Sequence, residues 1–167
     1  TWQDASVEFP DYVGSYVSMA IDSNDGIHIA AFDASDSDLV YMYLSSYNSN
    51  KLEKHVIDQS GSVGNWTQIK LNSSNVPYIS YYNSTEAGQR DAVKLAYAKN
   101  VAGSVEAGVD DDGYTTGEWE YMTVPAITPP QGGDPKFQNV CLDFDSAGKP
   151  VVGYLGTNLE FGKWLDE

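Results

Sequence analysis

Apolar and polar positions alternate along most of this chain, in short bursts rather than long stretches. Between Ser15 and Ile21, Val17, Met19 and Ile21 fall on one face and Ser18 and Ala20 on the other, the period of a strand with one side buried. Asp22-Ser23-Asn24-Asp25-Gly26 follows. Asp and Asn fold back onto their own backbone and Gly accepts positive φ, so this run predicts a turn. Ile27–Phe32 is apolar at nearly every position, as in a strand covered on both faces. A polar loop at Asp33–Asp38 leads to a further strand, Leu39–Leu44. The succession recurs at Thr67–Leu71, Pro77–Tyr82 and Val93–Ala98, and again at Val140–Phe144, Pro150–Leu155 and Leu159–Trp164. Trp2–Phe9 reads as a lead-in strand. The nearest approach to a helical stripe, Asp91–Lys99, is too short to stand alone. The pattern predicts an all-β chain.

The recurrence is an internal repeat. Residues 1–33 align with 51–83 at a constant offset of 50, pairing Val13-Gly14 with Val63-Gly64, Tyr16 with Trp66, Met19 with Ile69, and Asp22-Ser23 with Asn72-Ser73. A third copy follows at an offset of 73: Leu142 answers Ile69, Phe144 answers Leu71, Asp145-Ser146 answers Asn72-Ser73 and Val152 answers Ile79. Glu118–Val124 resembles Thr1–Val7. The repeats run over about 1–50, 51–117 and 118–167, in a single domain, with a long insertion at about 100–134. A unit of about fifty residues with four strands has two apolar faces and cannot bury either alone, so neighbouring units must stack about an axis.

The stretches Gly14–Asp33, Gly64–Asn83 and, less fully, Val140–Gly156 resemble bacterial β-propeller repeats of the type G-x-(Y/W)-x-S-x-A-(I/L)-D-S-x-G-x-x-(H/Y)-I-A. The resemblance implies propeller blades of four antiparallel strands, three of them in this chain. It departs from sialidase-like propellers, whose Ser-x-Asp-x-Gly-x-x-Trp box is absent here. Propellers usually close with four to eight blades. Three blades therefore imply either part of a longer propeller or half of an oligomeric ring, in which each copy's Thr1–Phe9 completes the last blade of the other.

Charge narrows the partners. The chain has 167 residues, with 9 Lys and Arg against 24 Asp and Glu, a net of −15. Residues 1–50 contain seven Asp, one Glu and no cation. Such a surface repels phosphate backbones and anionic headgroups, so nucleic acid is excluded as a partner and direct membrane insertion is not expected. Cys141 is the only cysteine, which rules out an intrachain disulfide and any Cys-based zinc site. The start at Thr1 fits a mature secreted chain or an excised piece, and a secreted or cell-surface location is expected.

Candidate chemistry is sparse. No Gly-x-Ser-x-Gly elbow exists, and no catalytic residue is assigned. His28 lies in an apolar strand and is expected to face the core or the space between blades, His55 is expected to be an exposed strand residue, and Cys141 a small core residue. No cofactor is expected, with calcium the one candidate, held by Asp110, Asp111 and Asp112. Neither that cluster nor Asp33–Asp38 fits an EF-hand, because the twelfth positions hold Tyr121 and Leu44 instead of Glu, and a solvated acidic turn is the plainer reading. Three Asn-x-Ser/Thr matches begin at Asn65, Asn72 and Asn83, as chance gives in an Asn/Ser-rich chain. Aromatic residues reach 13%, twelve of them Tyr, and sugar C–H faces stack on such rings. Tyr16, Trp66, Tyr114 and Trp119 are the candidate ligand-binding residues, although Tyr16 and Trp66 also suit packing between blades. These features point to a non-catalytic extracellular module that binds a glycan or a protein. The alternatives are a glycoside-acting hydrolase with paired carboxylates and a purely structural repeat segment of a larger surface protein.

Overall fold

The structure, a computed structural model, describes residues 13–47, 52–84, 92–99, 108–109, 115–116, 119–124, 138–155 and 159–164. Among them the chain forms β1 (Val13–Ile21), β2 (Ile27–Asp33), β3 (Asp38–Leu44), β4 (Glu53–Asp58), β5 (Ser62–Leu71), β6 (Pro77–Ser84), β7 (Ala92–Ala98), β8 (Gly108–Val109), β9 (Thr115–Thr116), β10 (Trp119–Thr123), β11 (Gln138–Phe144), β12 (Pro150–Leu155) and β13 (Leu159–Lys163). β1 to β4 make the first antiparallel sheet in chain order. β5, β6 and β7 make the second, with β10 at its outer edge. β11 to β13 make the third.

Two sheets thus have the expected four strands, and the third has three among the described residues. The sheets are offset from the sequence repeats by one strand. The lead-in of the second repeat becomes β4 of the first sheet, and that of the third becomes β10 of the second. The lead-in Trp2–Phe9 lies outside the described residues. The insertion also holds a short hairpin, β8 with β9, which alternation could not reveal because each strand has only two residues.

The repeated turns build themselves. Asp22 Oδ1 accepts the amides of Asn24 at 2.7 Å and Gly26 at 2.8 Å. Asn72 does the same for Ser74 and Val76, and Asp145 for Ala147 and Lys149. Burial pushes the Asp22 carboxyl up, but these amides, with His28, outweigh it and hold its pKa below the usual value. The acidic Asp-Ser pairs of the repeat are turn caps.

Each sheet buries one face against the next. Ala30, Leu39, Tyr41 and Ile57 of the first pack on Val63, Ile69, Ile79 and Trp119 of the second. Tyr82, Val93 and Leu95 of the second pack on Val140, Leu142, Val152 and Tyr154 of the third. A side chain such as Leu39 or Ile79, fully buried, contributes about 1.5–3 kcal/mol. Gly64 lets β5 ride close on β3: a Cβ there would stand 3.0 Å from Leu39 Cα, at φ +104°.

Buried charges on this path are paired. Lys54 Nζ donates to Asp33 Oδ2 at 2.9 Å. Asp58 Oδ2 accepts from Lys94 of β7 at 2.9 Å and from the Tyr81 hydroxyl at 2.7 Å, tying the first sheet to the second. Burial works against the Asp58 carboxylate, yet Ser60, Lys94 and Tyr81 hold its pKa low. Removing the Tyr81 hydroxyl leaves that charge short of a donor, so Tyr81→Phe is expected to cost about 1–2 kcal/mol in urea unfolding. Asp38 behaves oppositely. Burial, with Asp36 nearby, lifts its pKa from 3.8 to about 6, so its ionisation opposes folding, absent below about pH 4 and complete above about pH 6. Asp38→Asn is therefore expected to match the native chain in melting temperature at pH 4 and to exceed it by pH 7.

Candidate functional site

β1, β5 and β11 are the inner strands of the three sheets, and β5 touches both of the others. Each breaks its register in its first half, between Val13 and Ser18, Val63 and Gln68, and Gln138 and Cys141. At the break sits a left-handed residue: Tyr16 at φ 53°, Trp66 at φ 51° and Asn139 at φ 61°. These three occupy one repeat position, at the offsets 50 and 73. Gly14 and Gly64 precede two of them with φ of 130° and 104°. A bulge inserts an unpaired residue and re-aims its side chain, and left-handed backbone at a bulky residue is a local cost that concentrates at binding sites.

The three bulges line one cavity of about 400 Å³, walled by Tyr16 and Val17 of β1, Trp66, Thr67 and Gln68 of β5, and Asn139, Val140 and Cys141 of β11. The Tyr16 and Trp66 rings lie 5.3 Å apart, tilted by 47°. Trp66 also meets Tyr82 edge-on at 5.4 Å, so its indole is both wall and strut. Cross-strand bonds fix the rest of the wall. The Thr67 hydroxyl donates to the Tyr16 carbonyl. The Ile69 amide donates to Ser18 Oγ at 3.1 Å, and the Leu142 amide to Gln68 Oε1 at 3.2 Å. Ser18 and Gln68 are repeat equivalents, as are Ile69 and Leu142, so both junctions between sheets use the same bond. The described wall offers aromatic faces, amides, a hydroxyl and a thiol, and no ionisable carboxylate, Lys, Arg or His.

The other sequence candidates lie elsewhere. Trp119 is buried in the core with its ring 5.2 Å from Tyr41. Tyr114, Asp110, Asp111 and Asp112 lie outside the described residues, and among the described residues no group of three His, Cys, Asp or Glu could hold a metal. His28 is fully buried; the tautomer that satisfies both its partners donates from Nε2 to Asp22 and accepts the Tyr41 hydroxyl at Nδ1, 2.7 Å away. Two expectations are corrected. His55 is buried, not exposed, because Tyr41 packs 5.8 Å from its ring and β9 of the insertion lies against β4. Cys141 is exposed, not core, because it points from the face of the third sheet that turns away from the second. Of the Asn-x-Ser/Thr matches, Asn83 is buried and Asn72 caps its turn.

No protein-family model and no curated protein matches the chain. Among solved structures it matches an exo-1,5-alpha-L-arabinanase from a bovine ruminal metagenomic library, at 13% identity with a TM-score of 0.51. The match covers 97% of this chain and 54% of that one, so the chain spans about half the length of the solved chain. The likeness shows an all-β, propeller-type fold. It also corrects the first functional expectation, a non-catalytic binding module: the solved neighbour is an exo-1,5-alpha-L-arabinanase. No described helix is long and apolar enough to cross a membrane.

The two glycines at the bulges separate strain from crowding. Gly14 has nothing within 4 Å of an added Cβ, whereas Gly64 meets the β3 backbone. Gly14→Ala is expected to lose about 1–2 kcal/mol to its backbone alone, and Gly64→Ala roughly 2–4 kcal/mol. Equal losses in chemical denaturation would refute the close approach of β5 to β3.

Proposed function

We propose that this chain forms the sugar-holding wall of a glycoside-acting hydrolase of the propeller type, acting on glycans outside the cell, with the inner-strand cavity as its glycan subsite. The observation that carries the reading is the convergence of three bulged inner strands on one cavity of about 400 Å³. That volume lies within the range of small-ligand pockets. Tyr16 and Trp66 offer ring faces to the C–H face of a sugar, while Gln68 and Asn139 offer donors and acceptors to its hydroxyls. The fold shared with an exo-1,5-alpha-L-arabinanase supports the same direction.

Glycoside cleavage by the common route needs two carboxyl groups, about 5 Å apart for retention and up to about 9 Å for inversion. The described wall has none. Asp33 and Asp58 are held by lysines, and Asp22 and Asp145 are held in their turns. The reading therefore assigns this wall to substrate binding and orientation. On this reading the acid pair lies outside the described wall.

The test is reducing-sugar release from linear arabinan and turnover of aryl arabinofuranosides and xylosides, with tryptophan fluorescence followed during titration with the oligosaccharides. Trp66→Ala is expected to lower kcat/KM about tenfold, through KM, as loss of about 1.4 kcal/mol of ring contact implies. Trp66→Phe keeps a ring and retains most of the activity. Absence of turnover together with an unchanged fluorescence for every glycoside sinks the reading.

A further inference from the structure

One repeat position in the inner strands is filled three ways. Ser18, Gln68 and Cys141 each stand two residues beyond the left-handed Tyr16, Trp66 and Asn139. Ser18 Oγ accepts the Ile69 amide at 3.1 Å across the first junction, and Gln68 Oε1 accepts the Leu142 amide at 3.2 Å across the second. Serine has one polar atom, and the junction uses it. Glutamine has a second to spare, and of these two acceptors it is Gln68 that lines the cavity. The bond also settles which way its amide faces. A backbone N–H only donates, so the atom opposite Leu142 is the carbonyl oxygen, and the NH2 group lies on the other branch of the same planar amide. Its two hydrogens have no acceptor among the described residues. Elsewhere in the wall, the Thr67 hydroxyl is already given to the Tyr16 carbonyl, and Val17 and Val140 carry no polar side-chain atom.

We propose that Gln68 is a specificity-determining residue of the glycan subsite, whose Nε2 reads an oxygen of the sugar that accepts a hydrogen bond. This rests on the cavity being a glycan subsite and gives that subsite a polarity. The ligand places a hydroxyl, ring or bridging oxygen opposite Gln68. A carbon in that place leaves the amide unpaired, and an ammonium group sets donors against donors. Because Oε1 is anchored to the third sheet, the donor stands in position before the ligand arrives, and little side-chain freedom is lost on binding. The ring faces of Tyr16 and Trp66 accept any sugar with a flat C–H face. Gln68 discriminates among those sugars by where an oxygen sits.

Gln68→Glu separates the two ends of the side chain. It keeps an oxygen for the Leu142 amide and turns the donor end into a second acceptor of the same shape. Its urea midpoint is expected to stay near the native value. Its Kd for linear arabino-oligosaccharides, read by tryptophan fluorescence, is expected to rise about tenfold, as loss of a donor and an unpaired ligand oxygen imply. Gln68→Leu removes both ends and is expected to lower the midpoint and the affinity together. A series of deoxy and deoxyfluoro arabinosides tests the native chain without any substitution. Fluorine accepts and cannot donate, so at one sugar position it is expected to preserve more affinity than hydrogen, and in Gln68→Glu that difference vanishes. Native affinity in Gln68→Glu, beside weakened binding in Trp66→Ala, overturns the role of Gln68 and leaves the subsite standing. A midpoint for Gln68→Glu as low as that of Gln68→Leu makes the side chain a strut alone, and equal affinity for fluoro and deoxy sugars at every position removes the donor; either overturns the proposal. A native chain that binds none of these sugars overturns the subsite and the proposal together.

Discussion

A sheet that is greasy on both sides has no stable existence in water, and this chain is organised around that constraint. Ile79 and Tyr81 point to one side of β6 while Ser80 and Tyr82 point to the other, and all four are buried. Each sheet therefore needs two neighbours, and only the second has both among the described residues. Close stacking then dictates local chemistry. A glycine stands where β5 crosses β3, and Asp58 gathers a lysine and a tyrosine from the adjoining sheet because its charge would otherwise be stranded.

The cavity follows from the same stacking. Inner strands that run straight would crowd one another, and a bulge in each relieves the register while turning one side chain out of the ladder. The result is a series of equivalent positions filled by Tyr, Trp and Asn. Their backbone conformation is shared while their side chains differ, so the repeat conserves a geometry and varies the surface it presents. The cross-sheet bond accepted by Ser18 Oγ or Gln68 Oε1 sits two residues further on and fixes the spacing of the strands at that level.

Most of the scaffold was legible in the residues. Period-two alternation and Asp-Ser turns located nine of the strands to within a few positions, because burial on one face is what makes such a pattern. Sheet membership was partly legible: the lead-in strands were expected to act as fourth strands, but their place in the preceding sheet is a long-range pairing that no local window contains. The β8–β9 hairpin is too short for periodicity to show. Cys141 and His55 were misjudged because exposure there depends on which face has a neighbour and on where the insertion lies. At the cavity, Tyr16 and Trp66 stood out by recurring after Gly, whereas Asn139 was missed because it shares their backbone and not their aromatic character. The offset of 73 was the available signal. The acids, numerous enough to suggest catalysis anywhere, are largely taken up by caps and ion pairs.

Trp66 serves two masters. Its indole leans on Tyr16 in the first sheet and on Tyr82 in the second while lining the open space beside them. Any molecule touching that ring also touches the junction where two sheets meet. Contact with a bound molecule and packing between two sheets therefore fall on one side chain, so a substitution there alters both at once.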